Sequence, residues 1–111
     1  MKTFNYHLAK DIKDAKKLAS PNSTFLAGGM TTIPSMKLGL GTYKDVIDIK
    51  GIKKLSGIKA SGKVLKIGST TTHTEVAKSK EVKKSIPSLA ALAEGIGDPQ
   101  VRNRGTIGGS I

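Results

Sequence analysis

The sequence predicts an α+β fold in which short strands alternate with short helices and one hairpin interrupts the alternation. Three observations carry this reading. Apolar residues recur at helical spacing in separate stretches, brief β-compatible runs stand between Gly- and Pro-marked turns, and no internal repeat or low-complexity tract points to a bundle or a sandwich. With 111 residues the chain is the size of one domain, enough for one modest core and a single binding site.

FNYHLA opens as a short strand. In DIKDAKKLA, Ile12, Ala15, Leu18 and Ala19 fall at helical spacing with lysines opposite, and the helix ends at Ser20-Pro21. After the turn Pro21-Asn22-Ser23, Thr24 to Ala27 reads as a brief buried strand that runs into Gly28-Gly29. Thr31 or Thr32 can cap the next helix, Ile33 to Leu40, with Pro34 in its first turn and Gly39 and Gly41 at its end. Asp45 to Ile49 alternates polar and apolar as a half-buried strand does. Ile58 to Ala60 and Val64 to Gly68, separated by a turn containing Gly62, make the hairpin. Thr72 and Glu75 form a capping box for a helix from His73. A further helix, Pro87 to Glu94, buries Leu89, Leu92 and the alanines between and stops at Gly95. GIGDPQVRNRGTIGGSI, rich in Gly, Asn, Asp and Pro, reads as a long loop.

Composition narrows the chemistry. Lys and Arg number 19 against 8 Asp and Glu, a net charge of +11 that raises nucleic acid, acidic membrane or an anionic ligand as partners. The lysines are dispersed, and the aromatics are 2 Phe, 2 Tyr and no Trp, so stacking platforms for nucleic acid are lacking and a solvated surface is the simpler cause. No cysteine is present, which excludes disulfide, zinc-thiolate and iron–sulfur sites within the chain and fits an intracellular, cytoplasmic protein. No run approaches a membrane span, and MKTFNYHLAK lacks the apolar centre of a signal peptide. His7 and His73 have no acid or thiol cluster at ligand spacing, so no metal site is expected, and no acid–base constellation marks a catalytic residue.

Two partial phosphate motifs resolve into structure. Gly57 to Lys63 has the spacing of a P-loop up to its lysine, but Val64 stands where a Ser or Thr would meet magnesium and a strand follows where a helix is needed. Gly39-Leu40-Gly41 begins like a dinucleotide fingerprint but lacks the third glycine and follows a helix, so it is a C-cap. The double glycines of FLAGGMTTIP and GTIGGSI are different. Glycine lets backbone approach a diphosphate closely, N–H groups at a helix start point outward, and Thr31, Thr32, Thr106 and Ser110 add hydroxyl donors, so the two turns could close on a diphosphate from two sides. On spacing alone, two ordinary tight turns remain the alternative. Asp98, Arg102 and Arg104 are either ligand contacts or members of a solvated turn.

FLAGGMTTIPSMKLGL, IGSTTTHTEVAKS and GIGDPQVRNRGTIGGSI, in this order, resemble the serial signatures of the FAD-binding subunits of molybdenum hydroxylases, the carbon monoxide dehydrogenase medium chain and xanthine dehydrogenase FAD-binding family. The resemblance covers essentially the whole chain. It implies the small α/β subdomain of a PCMH (vanillyl-alcohol-oxidase) type FAD-binding fold, with FAD as cofactor and its pyrophosphate between the two turns. The contacts it implies are Ala27, Gly28, Gly29, Met30 and Thr31 on one side and Gly105, Thr106, Ile107, Gly108, Gly109 and Ser110 on the other. Asp98, Pro99, Gln100, Arg102 and Asn103 then shape the loop into the second turn. Met30 departs from the polar residue usual at its place, which implies contact through its backbone. The resemblance further implies partners, a molybdopterin-binding large subunit and an iron–sulfur small subunit, from which electrons pass through FAD to an external acceptor. Relatives continue beyond the position of Ile111, so residues 1–111 are expected to be the N-terminal part of such a domain, carrying both turns but not the surroundings of the flavin ring, and to hold FAD poorly alone. The readings of other classes are a small basic nucleic-acid- or anion-binding module without redox role, and a non-catalytic assembly fragment.

Overall fold

A computed structural model describes residues 3–111; Met1 and Lys2, the start of the stretch read for a signal peptide, lie outside the described residues. Strands β1 (Asn5–Leu8), β2 (Ser23–Leu26) and β3 (Asp45–Asp48) form a parallel sheet in the order β1-β3-β2. Parallel neighbours cannot be joined by tight turns. Helices α1 (Ile12–Leu18) and α2 (Thr32–Lys37) supply the two crossovers. The last of the three strands in sequence is thus the middle one, which is why Val46, Ile47 and Asp48 are buried while β1 is largely exposed and β2, expected to be buried, is half-buried with Phe25 exposed. Asp11 caps α1 by accepting the Asp14 N–H at 2.7 Å. Ala15 and Leu18 then pack with Ile47, Ala9 and Ile52 in a first hydrophobic cluster.

The second half is antiparallel and helical. A 3-10 turn, Lys53–Leu55, leads to the hairpin of β4 (Ile58–Ser61) and β5 (Val64–Ile67), with Gly62 at φ +57° in the turn. Helices α3 (His73–Lys78), α4 (Lys80–Ser85), α5 (Pro87–Glu94) and α6 (Pro99–Arg104) follow. Val76, Val82, Ala90 and Ala93 form a second cluster, against which Ile58, Leu65, Ile67, Leu89 and Ile107 pack. The capping box of α3 is present in full: Thr72 Oγ1 accepts the Glu75 N–H and the Glu75 carboxylate accepts the Thr72 N–H.

Several sequence expectations are corrected. The segment after Gly95 is not a continuous loop: Asp98 Oδ1 accepts the Val101 N–H at 2.9 Å, Pro99 opens α6, and a 3-10 turn covers Gly108–Ser110. Six residues with none buried leave no apolar period to read. Helix α4 is additional to the sequence expectation, because KEVKKS buries Val82 alone; its start is fixed by Ser79, whose Oγ accepts the Val82 N–H. Leu92 is 65% exposed and Ala91 is exposed too, since α5 meets α3 through the small residues Ala90 and Ala93. Ile12 and Ala19 are exposed as well, because a helix of seven residues makes about two turns and meets the core only through Ala15 and Leu18 on one face. Neither Thr31 nor Thr32 caps α2 through its hydroxyl, and α2 stops before Leu38, with Gly39 at φ +74° just beyond.

Candidate functional site

The β2–α2 turn and the segment from Gly105 to Ser110 meet across one cleft of about 470 Å³, within the range of about 300–1,000 Å³ usual for small-molecule sites. Gly28 makes the meeting possible. A Cβ at this position would overlap the Arg104 carbonyl oxygen and lie 2.7 Å from its carbon and 3.2 Å from Gly105 Cα, so two backbones touch where a side chain would stand. Gly29 follows at φ +74°, a left-handed conformation that glycine adopts without steric cost, and turns the chain into α2. Gly108 is equally constrained from the other side, where a Cβ would lie 2.6 Å from Ser69 Cβ.

Of the residues predicted to bind, Ala27, Gly28, Gly29, Met30 and Thr31 all line the cleft, as do Gly105, Thr106, Gly108, Gly109 and Ser110. Ile107 does not. Its side chain packs on the second hydrophobic cluster, and its N–H donates to the Thr71 carbonyl at 2.9 Å. Asp98, Arg102 and Asn103 do shape the approach: Asp98 caps α6, Arg102 Nη1 donates to the Gly97 carbonyl at 3.1 Å, and Asn103 Oδ1 accepts the Thr74 hydroxyl at 2.6 Å. Thr32, whose hydroxyl the sequence offers as a donor, lines the cleft as well, and so do Ser69, His73 and the apolar Phe25, Ile49, Ile96 and Val101, which the sequence alone does not assign to it. Phe25 flanks the AGG turn in sequence, which is a signal that could have found it.

The two turns differ in what they offer. Among the described residues, no protein acceptor takes the N–H groups of Gly28, Gly29, Met30, Thr31 or Thr32, so the first turn presents a run of uncommitted donors. In the second, the N–H groups of Gly105, Ile107, Gly108, Gly109 and Ser110 are all engaged within the protein, Gly109 donating to Thr106 Oγ1 at 3.1 Å. Its remaining donors are the Thr106 N–H and the Thr106 and Ser110 hydroxyls. His73 is buried beneath this turn with Nε2 3.0 Å from Ser110 Oγ, and burial pushes its imidazole below the ordinary histidine value.

Behind Gly28 a smaller depression of about 300 Å³ brings in Lys50 and Arg104. Lys50 is held by Asp48, at the end of β3, whose carboxylate is fully buried and receives the Tyr6 hydroxyl, the Lys50 N–H at 3.0 Å and the Lys50 ammonium at 3.1 Å. Burial alone would raise the Asp48 carboxyl, but these donors together hold it below the usual carboxylate value. Asp48 in turn pushes the Tyr6 hydroxyl up. No group of His, Asp or Glu suited to hold a metal occurs among the described residues, and no helix is long and apolar enough to cross a membrane.

A glycine-walled cleft with clustered amide donors on one side and hydroxyls on the other, set in a mixed α/β unit, is of the class suited to an anionic ligand. The comparisons narrow this to a family. Residues 2–111 match the family described as the FAD binding domain in molybdopterin dehydrogenase, and the chain belongs to it. It is 40% identical over 111 residues to the carbon monoxide dehydrogenase medium chain of Hydrogenophaga pseudoflava, covering 97% of this chain and 39% of that one. It is 34% identical to the xanthine dehydrogenase FAD-binding subunit of Escherichia coli O157:H7 over 110 residues, 96% of this chain and 38% of the other. The solved carbon monoxide dehydrogenase from Hydrogenophaga pseudoflava that lacks the Mo-pyranopterin moiety superposes with a TM-score of 0.94 at 40% identity over 97% of this chain and 39% of that chain. Quinoline 2-oxidoreductase from Pseudomonas putida 86 superposes at 0.93 with 26% identity, over 98% and 39% respectively. The chain thus spans about two fifths of the length of the relatives it matches.

Proposed function

We propose that this chain is the N-terminal part of a PCMH-type FAD-binding domain and holds the FAD diphosphate between its two glycine turns. The observation that carries the reading is the close approach of Gly28 to the Arg104–Gly105 backbone, which brings uncommitted amides and the Thr106 and Ser110 hydroxyls to one cleft. Gly28, Gly29, Met30 and Thr31 supply backbone donors, with Ala27 leading into the turn; Thr106 and Ser110 supply hydroxyls, and Gly105, Gly108 and Gly109 let the second turn pack closely on His73, Ser69 and Thr106. Ile107 anchors that wall to the core instead of touching the ligand. The residues fit the group: a Cβ at Gly28 or Gly108 would collide with neighbouring protein atoms, and the donor set suits an anion.

FAD, when bound, supplies the electron-transfer chemistry, and the protein's part is to bind, orient and tune it. The parent protein is then a flavoprotein oxidoreductase subunit of the molybdenum-hydroxylase type, working beside a molybdopterin-binding large subunit and an iron–sulfur small subunit; relatives bearing the name medium chain support that arrangement. The test is titration of the purified chain with FAD and with ADP, followed by flavin fluorescence and calorimetry. Weak but saturable binding of both, as expected of a chain without the surroundings of the flavin ring, and abolished in Gly28→Val, is the expected result. A folded chain that binds neither ligand even at high concentration overturns the reading. Strongly salt-dependent binding to duplex DNA in place of flavin would favour the basic-module alternative.

A further inference from the structure

One buried titratable group in the cleft is unaccounted for by the two glycine turns. His73 is 4% exposed and lines the cleft beside Ser69, Thr106 and Ser110. Its ring lies under Gly105, where a Cβ would come within 3.1 Å of His73 Cδ2. Its own backbone N–H donates to the Gly105 carbonyl at 3.0 Å, and the Thr72–Glu75 capping box fixes its place as the first residue of α3. Backbone therefore holds the imidazole, and the free rotor in its contact with Ser110, 3.0 Å away, is the Ser110 hydroxyl.

We propose that His73 is a positioning residue for the ligand's diphosphate: with its proton on Nε2 it donates to Ser110 Oγ and so turns the Ser110 O–H into the cleft as a donor to a phosphate oxygen. This rests on the FAD reading above. The opposite tautomer would take the Ser110 proton and leave oxygen lone pairs toward an anion, which repel it. An anion in the cleft therefore selects the Nε2–H form. The ring matters because the second turn has few other donors: the Ser110 N–H is spent on the Thr106 and Ile107 carbonyls, both at 3.2 Å, and the Gly108 and Gly109 N–H groups on Ser69 and Thr106. With these amides committed, and Thr106 alone of residues 105–110 keeping an N–H without a protein acceptor among the described residues, the orientation of the Ser110 hydroxyl bears strongly on whether this wall attracts or repels a phosphate. Burial disfavours the charged imidazolium, so the ring's part is that of an oriented donor.

The test titrates FAD and ADP into the full chain and into His73→Leu, His73→Gln, Ser110→Ala and the double variant of Leu and Ala. His73→Leu is expected to weaken both ligands about tenfold, the effect of losing one hydrogen bond to a charged acceptor. His73→Gln, which keeps a side-chain N–H at similar reach, is expected to recover most of that loss, and the double variant to bind no more weakly than the worse single one. In the ligand-bound wild type, the 15N resonance of His73 Nε2 is expected in the protonated range. Wild-type affinity in a folded His73→Leu, no recovery in a folded His73→Gln, additive losses, or an unprotonated Nε2 in the complex would each overturn the assignment. Because the nitrogen resonance is read on the wild type, it decides the matter even if the leucine variant fails to fold. Absence of any binding by the folded wild type instead overturns the FAD site itself.

Discussion

Replacing Gly28 with alanine is the sharpest perturbation the cleft allows. The added Cβ would stand 2.7 Å from the Arg104 carbonyl carbon and overlap its oxygen. Unstrained carbon contacts lie at about 3.5–4.0 Å and the oxygen is nearer still, so the two turns must part by more than about 0.8 Å or the backbone of α6 must shift. Both partners are main chain, so no flexible side chain can swing aside to absorb the overlap. Overpacking of this kind costs about 1–3 kcal/mol, which in a domain near 100 residues lowers the melting temperature by about 4–20 °C. Moving the amides away from the hydroxyls also loosens the ligand: losing one charge-assisted hydrogen bond corresponds to about 10–100-fold in affinity. Thermal unfolding followed by circular dichroism, with FAD titration of the same samples, measures both. Gly39→Ala is the control. Gly39 sits at φ +74° with nothing within 4 Å of a Cβ, so alanine there costs only the left-handed conformation, about 1–2 kcal/mol, with FAD affinity unchanged. A Gly28→Ala protein that melts within about 2 °C of wild type, less than 1 kcal/mol would shift it, and binds FAD undiminished would refute the close-approach argument.

Further outcomes follow from other parts of the molecule. Asp48 has a carboxyl held below its ordinary value in the folded state, so its contribution to stability is complete above about pH 4 and is lost as pH falls through the lowered folded value. The urea midpoint of wild type should therefore fall more steeply below about pH 4 than that of Asp48→Asn; parallel curves would count against a stabilising Asp48 carboxylate. Thr72→Ala removes half of the capping box and should cost about 1 kcal/mol, seen as a lower denaturation midpoint. Leu92→Ser changes an exposed side chain on α5 and should leave stability within about 0.5 kcal/mol; a large loss would mean that Leu92 is buried in solution.

What could be read from the sequence depended on whether a local signal had a mechanism of its own. The hairpin, the capping box at Thr72 and the AGG turn each rest on a few adjacent residues, and each is present. Helices α4 and α6 escape such a reading because one carries a single buried residue and the other none, leaving no period to detect. Asp98-Pro99, an N-cap residue followed by a proline at the first helical position, is nonetheless a start signal for α6, hidden by the Gly-rich composition around it. The candidate site was legible as two glycine turns. Its asymmetry was not, since which amides are free depends on Ser69, Thr71 and Val101, residues distant in sequence or in another element. In the sequence His73 presents itself as a helix start and as a metal ligand to be weighed, and its place under Gly105 follows from pairing between Thr72 and Thr106 that no local pattern encodes.

The Gly28 contact joins two parts of the molecule that otherwise have separate hydrophobic clusters, one centred on Ile47 and one on Val76. A ligand gripped by amides from the first part and hydroxyls from the second would link their local opening equilibria, because it binds only when both are closed. Amide exchange in β3 and in α3 should then slow together on adding FAD, although the two elements belong to different clusters. In this arrangement the cofactor serves as a cross-brace of the folded chain as well as its chemical cargo.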